Sequence, residues 1–470
     1  MQQRNESLDA LRGFAILTMV LSGAIAYGGV LPAWMYHAQV PPPLHKFDPS
    51  IPGITWVDLV FPFFLFSMGA AIPLALQKHI ERGKGGAYVL QLAGKRFVLL
   101  AFFALFTQHM KAWVIAPQPG AREHLLSLLA FVLLFFQFYE NKENRYRKVF
   151  FAARVLSFVL AVYLLWKLPF WKGEGFDFYK SDVIILVLAN MAFFGTLIYY
   201  FTRNKPLLRF GLLPFVMAVF LAAKEPNGGW AKVLFEWKAI GSVQIDWLYK
   251  FYFLKYLFLI IPGTLAGEWM LQEMKNSEQK TRLQPNYESL LAVLAAGLVL
   301  LNLYGLFSRL LVLNLFATAL LCGLGLYWVR NLHAHHLYRR LTEAGTYCLL
   351  LGLFFEAYEG GIKKDPSTYS YYFVTGGLAF FMLILFTVMA RRKYLAGISR
   401  YFALNGKNPM VAYVAGNLLL LPLLQLTGTK AYLDMLNGSA WTGFLRGIIF
   451  TGIVSLITIL FVKRNWFWKT

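Results

Sequence analysis

The chain is short of charge, and above all of negative charge. Only 14% of its 470 residues are charged, and 23 Asp and Glu residues stand against 45 Lys and Arg residues. A soluble domain typically carries about a quarter charged residues, so a water-soluble fold of this length could not cover its apolar surface. This shortage excludes an ordinary soluble globular protein and indicates one that faces lipid.

Cysteine is also nearly absent. Cys322 and Cys348 both lie in apolar stretches, so neither a disulfide framework nor a zinc cluster is predicted. The three histidines at positions 333, 335 and 336 lie in a basic connection without acidic or cysteine neighbours, which indicates a solvated turn. No metal is expected, and no internal repeat or low-complexity segment is visible.

Long apolar runs are present along the whole length, and hydrophobic residues make up 58% of the chain. Runs of about 20 residues can cross a bilayer as helices. The candidate spans are residues 13–31, 57–76, 97–116, 125–138, 149–166, 183–201, 207–223, 248–269, 290–307, 310–329, 347–357, 373–390, 409–424 and 443–462. Several are short or abut, so the sequence predicts an all-α, polytopic membrane bundle of about 10 to 14 helices, forming one domain over residues 1–470.

The positive charges fall in short tracts between the apolar runs. A formal charge of +22 could indicate nucleic-acid binding, but these tracts occupy alternate connections, which is the positive-inside pattern. Both termini are therefore expected in the cytoplasm, and the bacterial inner membrane is the expected location. The first run is followed by a second span, which favours a transmembrane helix over a cleaved signal peptide.

Asp9 and Arg12 stand three residues apart at the start of the first span. On a helix this spacing puts both on one face, where they can pair and leave guanidinium donors for a ligand phosphate. The alternative is an ion pair at a helix end that also anchors the cytoplasmic side.

Two histidines, His37 and His45, lie in the proline-rich connection after the first span, and Asp58 lies just inside the second. A neutral imidazole can act as nucleophile or base near pH 7, and a buried carboxylate can orient it. The alternative is that the histidines are interfacial loop residues and that Asp58 caps a helix.

Further polar or aromatic residues are candidates for lining a polar cavity or binding a substrate. Trp34, Glu268 and Lys364 are candidates for substrate binding, and Asn408 for a catalytic amide. Others are candidates for cavity lining, namely His109, Lys111, Glu356, Glu359 and Asn405. A single polar side chain in a span more often makes an interhelical hydrogen bond, and that alternative stays open for each of them.

Three early segments carry a resemblance to a known family. They are Ser-Leu-Asp-Ala-Leu-Arg-Gly at residues 7–13, Tyr-His-Ala at 36–38, and Pro-Gly-Ile-Thr-Trp-Val-Asp-Leu-Val-Phe-Pro-Phe-Phe-Leu-Phe at 52–66. Together they resemble the heparan-α-glucosaminide N-acetyltransferase family, whose bacterial relatives include the DUF5009 (NagX-type) proteins. Residues 363–375 and Gly-Lys-Asn-Pro-Met-Val-Ala-Tyr-Val at 406–414 are similar to later family segments, whereas residues 78–246 match weakly.

The resemblance implies transfer of an acetyl group from cytoplasmic acetyl-CoA to an amino sugar or glycan outside, with a loop histidine central to the chemistry. His37 has the family's His-Ala context but stands further from Asp58 than in the family, and the inserted residues include His45. Both imidazoles therefore remain candidates, as do ping-pong and ternary-complex mechanisms. Arg12 with Asp9 would hold the nucleotide end, and the Asn408 amide would stabilise an oxyanion. The bilayer is the expected partner, and a homodimer is left open.

A transporter that moves a sugar without chemistry is the competing interpretation. Such a protein would use the same polar residues near the middle of the membrane. Replacing the histidines separates the two classes. An acyltransferase should lose acetyl turnover, whereas a transporter should keep sugar uptake and show no acetyl turnover.

Overall fold

The computed structural model describes residues 5–139, 146–225, 229–240, 242–275, 285–331 and 336–470. Most of this part is helical, and its strands are β1 (Ala239–Ile240) and β2 (Val243–Gln244), which pair antiparallel. The predicted all-α class is confirmed. The protein is a polytopic helical membrane protein.

The α-helices of the first 240 residues are α1 (Glu6–Ala24), α2 (Trp56–Glu81), α3 (Gly86–His109), α4 (Ala112–Ile115), α5 (Ala121–Phe138), α6 (Arg147–Lys167), α7 (Phe170–Gly173), α8 (Val183–Thr202), α9 (Pro206–Ala222) and α10 (Gly229–Glu236). The later ones are α11 (Leu257–Lys275), α12 (Pro285–Phe307), α13 (Leu311–Asn331), α14 (His336–Tyr358), α15 (Tyr369–Arg391), α16 (Ala396–Gly406), α17 (Pro409–Val414), α18 (Leu421–Leu426), α19 (Lys430–Asp434) and α20 (Ala440–Lys463). Short 3₁₀ turns occupy Ala33–Met35, Phe251–Tyr256 and Met435–Gly438, and a π-helical segment occupies Ala415–Leu420.

Within the described residues, 12 helical segments are long and apolar enough to cross a membrane. This number lies inside the predicted range. Two of the fourteen candidate spans are not among these 12 segments. Residues 207–223 form the shorter α9, and residues 347–357 form part of α14. Of the three clustered histidines, His336 begins α14, whereas positions 333 and 335 lie outside the described residues.

The chain divides into two compact units. The first comprises Met1–Arg82, Phe258–Lys407 and Leu436–Ile449, and the second comprises Gly83–Leu257, Asn408–Met435 and Phe450–Thr470. The first unit holds the candidates for catalysis, donor binding and substrate binding except Asn408, which lies in the second unit together with the cavity-lining candidates His109 and Lys111.

Glycines let the helices of the first unit approach closely. A Cβ atom on Gly13 would lie 1.8 Å from the carbonyl oxygen of Phe402, and one on Gly406 would lie 1.8 Å from that of Asp9. The backbones of α1 and α16 therefore touch where a larger residue would collide, a packing mode common between membrane helices. This crossing brings the segments at residues 7–13 and 406, distant in the sequence, into direct contact.

The second unit uses its buried polar groups to join helices. Asp182 caps α8 by accepting from the backbone N–H of Ile185, and its other oxygen accepts from the Tyr413 hydroxyl at 2.6 Å. The His109 Nδ1 atom lies 2.8 Å from the Leu105 carbonyl oxygen, and its ring contacts the ring of Phe170. For His109 these contacts match the alternative weighed for single polar residues in spans, a structural hydrogen bond.

Candidate active site

The connection between α1 and α2 is folded back onto the start of α2. The Tyr36 hydroxyl donates to the carbonyl oxygen of Ala26, and the Tyr36 carbonyl oxygen accepts from the Thr55 hydroxyl at 2.6 Å. Tyr36 is thus held at both ends, at the end of α1 and at the N-cap of α2. His37, the next residue, is consequently carried to the first turn of α2.

Asp58 both caps α2 and binds the imidazole. Its Oδ2 atom accepts from the backbone N–H groups of Thr55 at 3.0 Å and Ala38 at 3.2 Å, and its Oδ1 atom lies 2.7 Å from Nδ1 of His37. The Asp58 side chain is only 2% exposed. A carboxylate at a helix N-terminus with three donors is well placed to stay ionised. The two interpretations offered by the sequence, helix cap and imidazole partner, therefore both describe the same side chain.

This pairing defines the tautomer of His37. The Asp58 carboxylate accepts only, so Nδ1 carries the proton of the shared hydrogen bond and Nε2 keeps its lone pair when the ring is neutral. The His37 side chain is 37% exposed, in contrast to its buried partner. A partly exposed imidazole with a fixed tautomer is suited to nucleophilic or base chemistry.

Lys364 stands beside the same ring. Its Nζ atom lies 3.2 Å from Nδ1 and 3.3 Å from Nε2 of His37. An atom on the lone-pair axis of Nε2 would be much further from Nδ1 than from Nε2, so these nearly equal distances place the ammonium off that axis. The lysine therefore adds a positive charge next to the ring without occupying the direction from which Nε2 would react.

Burial and neighbouring charges act in opposite directions on the loop that carries Lys364. Burial lowers the pKa of the Lys364 ammonium, and the nearby Asp58 and Asp365 carboxylates counter that shift. Burial likewise raises the pKa of the Asp365 carboxyl, which Lys364 counters. Because each group lacks full hydration, their mutual attraction is stronger than it would be in water.

The two loops that form the site are tied together through Gln39. Its side-chain amide donates to the carbonyl oxygen of Asp365 and accepts from the backbone N–H of Asp365 at 2.9 Å. A second tie runs from the Gly53 N–H to the Ile362 carbonyl oxygen at 2.8 Å. These bonds fix the backbone on either side of Lys364 and so hold the ammonium against His37.

His45 occupies a different environment in the same connection. Its Nε2 atom accepts from the Gly28 N–H at 3.0 Å, and its ring contacts the rings of Tyr27 and Tyr36 at centroid distances of 4.9 and 4.5 Å. His45 is closer to Asp58 in sequence, but the structure pairs Asp58 with His37. The loop doubles back at the 3₁₀ turn and the proline-rich stretch, and this fold decides the pairing.

Arg12 and Asp9 form the expected pair on α1. Their side chains approach to 3.4 Å, and the Arg12 guanidinium also donates to the Ser67 carbonyl oxygen of α2 at 3.4 Å. Ser67 follows Asp58 by nine residues, which corresponds to about 14 Å along the helix. Arg12 therefore contacts the 26-residue α2 a little before its middle, counted from the His37 end, rather than at the far end of that helix.

The remaining candidates are dispersed. Trp34 is exposed in the 3₁₀ turn before His37, and Glu268 is half-buried on α11, beside the close contact of Gly267 with Ala70. Asn408 is fully buried in the second unit, where its amide donates to the Trp466 carbonyl oxygen and accepts from the Trp468 N–H.

Sequence reasoning missed two residues of the site, Gln39 and Tyr371. Gln39 binds the backbone of Asp365, and the Tyr371 hydroxyl donates to the Asp58 carbonyl oxygen at 2.8 Å. Neither residue stands in a recognisable local pattern, since their partners lie more than 300 residues away in the chain. The Thr-x-x-Asp spacing at Thr55 and Asp58 was a readable signal, because it is a form of the capping box. In the described part of the chain, no group of three or more His, Cys, Asp and Glu side chains is arranged to hold a metal ion.

Comparison with known proteins gives two matches. The model of a family described as a domain of unknown function, DUF5009, matches residues 4–270. The human heparan-alpha-glucosaminide N-acetyltransferase is 34% identical over 98 residues, which are 21% of this chain and 13% of the human protein. The match thus spans a small part of that enzyme. Because the family model covers more than half of its residues, including the His37–Asp58 pair, this chain belongs to the DUF5009 family.

Proposed function

We propose that this protein is a membrane acyltransferase that moves an acetyl group from acetyl-CoA to an amino sugar or glycan across the membrane. The observation that carries the proposal is the pairing of His37, 37% exposed, with Asp58, 2% exposed, beside the Lys364 ammonium. The similarity to an N-acetyltransferase supports the reaction class. The donor is proposed to enter from the cytoplasmic side and the acceptor from the opposite side.

Nε2 of His37 is the proposed reacting atom. It either attacks the thioester carbonyl carbon, forming an acyl-imidazole, or removes a proton from the acceptor amine or hydroxyl. In both routes positive charge develops on the ring, and the Asp58 carboxylate at 2.7 Å stabilises it. In the first route the coenzyme A thiolate leaves before the acceptor attacks, and in the second both substrates are present together.

Lys364 is proposed to stabilise the oxyanion of the tetrahedral intermediate. Its ammonium is next to the reacting ring, partly withdrawn from water, and held there by the bonds of Gln39 to Asp365. A fixed cation in such a place interacts with developing negative charge more strongly than one in bulk water.

Replacing Lys364 with methionine is expected to lower kcat by about 10- to 100-fold, because the side chain keeps its length but loses its charge. Initial rates of acetyl transfer measure the effect. Lys363→Met is the matched control, since Lys363 is the neighbouring lysine of the same loop and makes no contact with His37 in the structure. Equal losses in the two variants would contradict the proposed role.

Arg12 and Asp9 are proposed to bind the nucleotide end of the donor. The Arg12 guanidinium is positioned by Asp9 and by the Ser67 carbonyl oxygen, about 14 Å along α2 from Asp58. A donor held there has to bring its thioester over less than half of the length of α2 to reach His37. Asn408, with both ends of its amide bonded to residues 466 and 468, is not needed in this scheme.

The test uses the purified full-length chain in lipid nanodiscs, with [¹⁴C]acetyl-CoA and glucosamine as probes. Acetylated sugar is separated and counted, and slow release of acetate in the absence of acceptor is measured in parallel. Transfer supports the proposal. Facilitated uptake of labelled sugar into proteoliposomes, unchanged when both histidines are replaced and without acetyl turnover, would instead establish a transporter.

A further inference from the structure

An apolar cavity lies in the first unit, close to the proposed reacting pair. Its volume is about 510 Å³, and it is bounded by Thr18 and Leu21 of α1, Trp56 at the start of α2, and Trp441 at the start of α20. The connection that carries His37 forms a further wall. This volume is in the range of pockets that bind small molecules or parts of them.

The cavity lining has almost no hydrogen-bonding groups for water. Every residue around the cavity is apolar or aromatic except Thr18, and the Thr18 hydroxyl donates to the Phe14 carbonyl oxygen of its own helix at 2.8 Å. A water molecule needs two to four polar partners to remain in a cavity, which this lining does not supply. Hydrocarbon is therefore the chemistry that fits.

The cavity lies near the end of α1 that leads into the α1–α2 connection. Thr18 is six residues, or about 9 Å, before the end of α1 at Ala24. Three tryptophans surround the cavity, Trp34, Trp56 and Trp441, and tryptophan is enriched where membrane helices meet the head groups. A chain bound here would have its polar end at the level of the α1–α2 connection.

The cavity lining and the reacting pair come from the same two segments, the α1–α2 connection and the first turn of α2. Met35 lines the cavity and precedes His37 by two residues, and Trp56 lines it and precedes Asp58 by two residues. Met35 and Tyr36 belong to one packed cluster, against which Trp56 packs. An occupant of the cavity would therefore contact residues that stand two positions before the imidazole and two positions before its carboxylate partner.

We propose that this cavity binds the hydrocarbon chain of a lipid-linked acceptor, so that the natural acceptor is an amino sugar carried on a membrane lipid. The inference rests on the proposed function and names its acceptor class. The amine attacks the acyl carbon, which is held either by the donor sulfur or by Nε2 of His37. That bond breaks as the C–N bond forms, and the amine proton is passed on to the thiolate of coenzyme A. The chain in the cavity orients the sugar toward His37.

The experiment compares two acceptors of the same head group, hexadecyl 2-amino-2-deoxyglucopyranoside and its methyl analogue, in nanodiscs with acetyl-CoA. Ala440→Trp places an indole into the cavity from its exposed rim. We expect this variant to lower kcat/KM for the hexadecyl acceptor by about tenfold or more, because the head group loses its alignment. The rate with the methyl acceptor should change by less than about twofold.

Gly23→Trp is the matched control, because a side chain at Gly23 of α1 meets nothing within 4 Å and Gly23 does not line the cavity. Thr18→Trp fills the cavity from within and serves if Ala440→Trp does not fold. Binding of tritiated hexadecyl glucosaminide without donor gives a readout independent of turnover, and it should fall in the cavity variants alone.

Two results would overturn the inference while leaving the proposed function intact. One is an equal or absent effect of Ala440→Trp on the two acceptors. The other is an effect confined to long-chain acyl donors, which would assign the cavity to the donor. If neither acceptor is acetylated by the wild-type protein, the proposed function itself fails.

Discussion

The His37→Ala variant is expected to lose acetyl transfer by about 10²- to 10⁴-fold in kcat, the range of a positioned acid–base or nucleophilic group. The reason is that Nε2 of His37 keeps its lone pair in a partly exposed ring whose tautomer is fixed by Asp58, at 2.7 Å from Nδ1. Transfer of label from [¹⁴C]acetyl-CoA to glucosamine measures the loss.

His45→Ala is the control variant for His37→Ala. The two histidines share one connection, but His45 binds the Gly28 N–H and contacts tyrosine rings. We expect its replacement to lower transfer by less than about tenfold, through loosening of the loop. A larger loss in His45→Ala than in His37→Ala would reverse the assignment of the reacting imidazole.

The Asp58→Asn variant is expected to lower kcat by up to about 10⁴-fold while leaving the protein folded. Asp58 is the N3 residue of the capping box that begins at the N-cap Thr55, and the side-chain oxygen of asparagine at this position can still accept from Thr55 and Ala38. Its NH₂ group would then face His37, donate to Nδ1 and drive the ring proton to Nε2. The lone pair needed for reaction would be lost.

Asp58→Ala separates this tautomer effect from the cap. Alanine removes the N3 acceptor of the capping box as well as the imidazole partner, so a fall in thermal unfolding temperature should accompany the loss of activity, whereas Asp58→Asn should show the loss of activity alone. Wild-type activity in Asp58→Asn would mean that the carboxylate is only a helix cap, and the proposed role of the pair would then fail.

Much of the candidate site was open to sequence reasoning because its parts are local. Asp9 and Arg12 are one helical turn apart and do pair. Asp58 follows Thr55 by three residues, which is the spacing of a capping box at a helix N-terminus. His37 was one of two histidines in a short connection. Lys364 entered only as a candidate for substrate binding; its place beside His37 depends on contacts across 327 positions of the chain.

The amino-acid sequence alone was enough to establish a helical membrane protein with about a dozen spans, because hydrocarbon requires every spanning backbone to satisfy its own hydrogen bonds. The lengths of the apolar runs therefore predict the fold class directly. Which imidazole meets Asp58 was decided only in three dimensions. The choice depends on how Tyr36 is tied to Ala26 and Thr55, and on how Gln39 holds the loop of Lys364. Such contacts join residues far apart in the chain, and no local pattern encodes them.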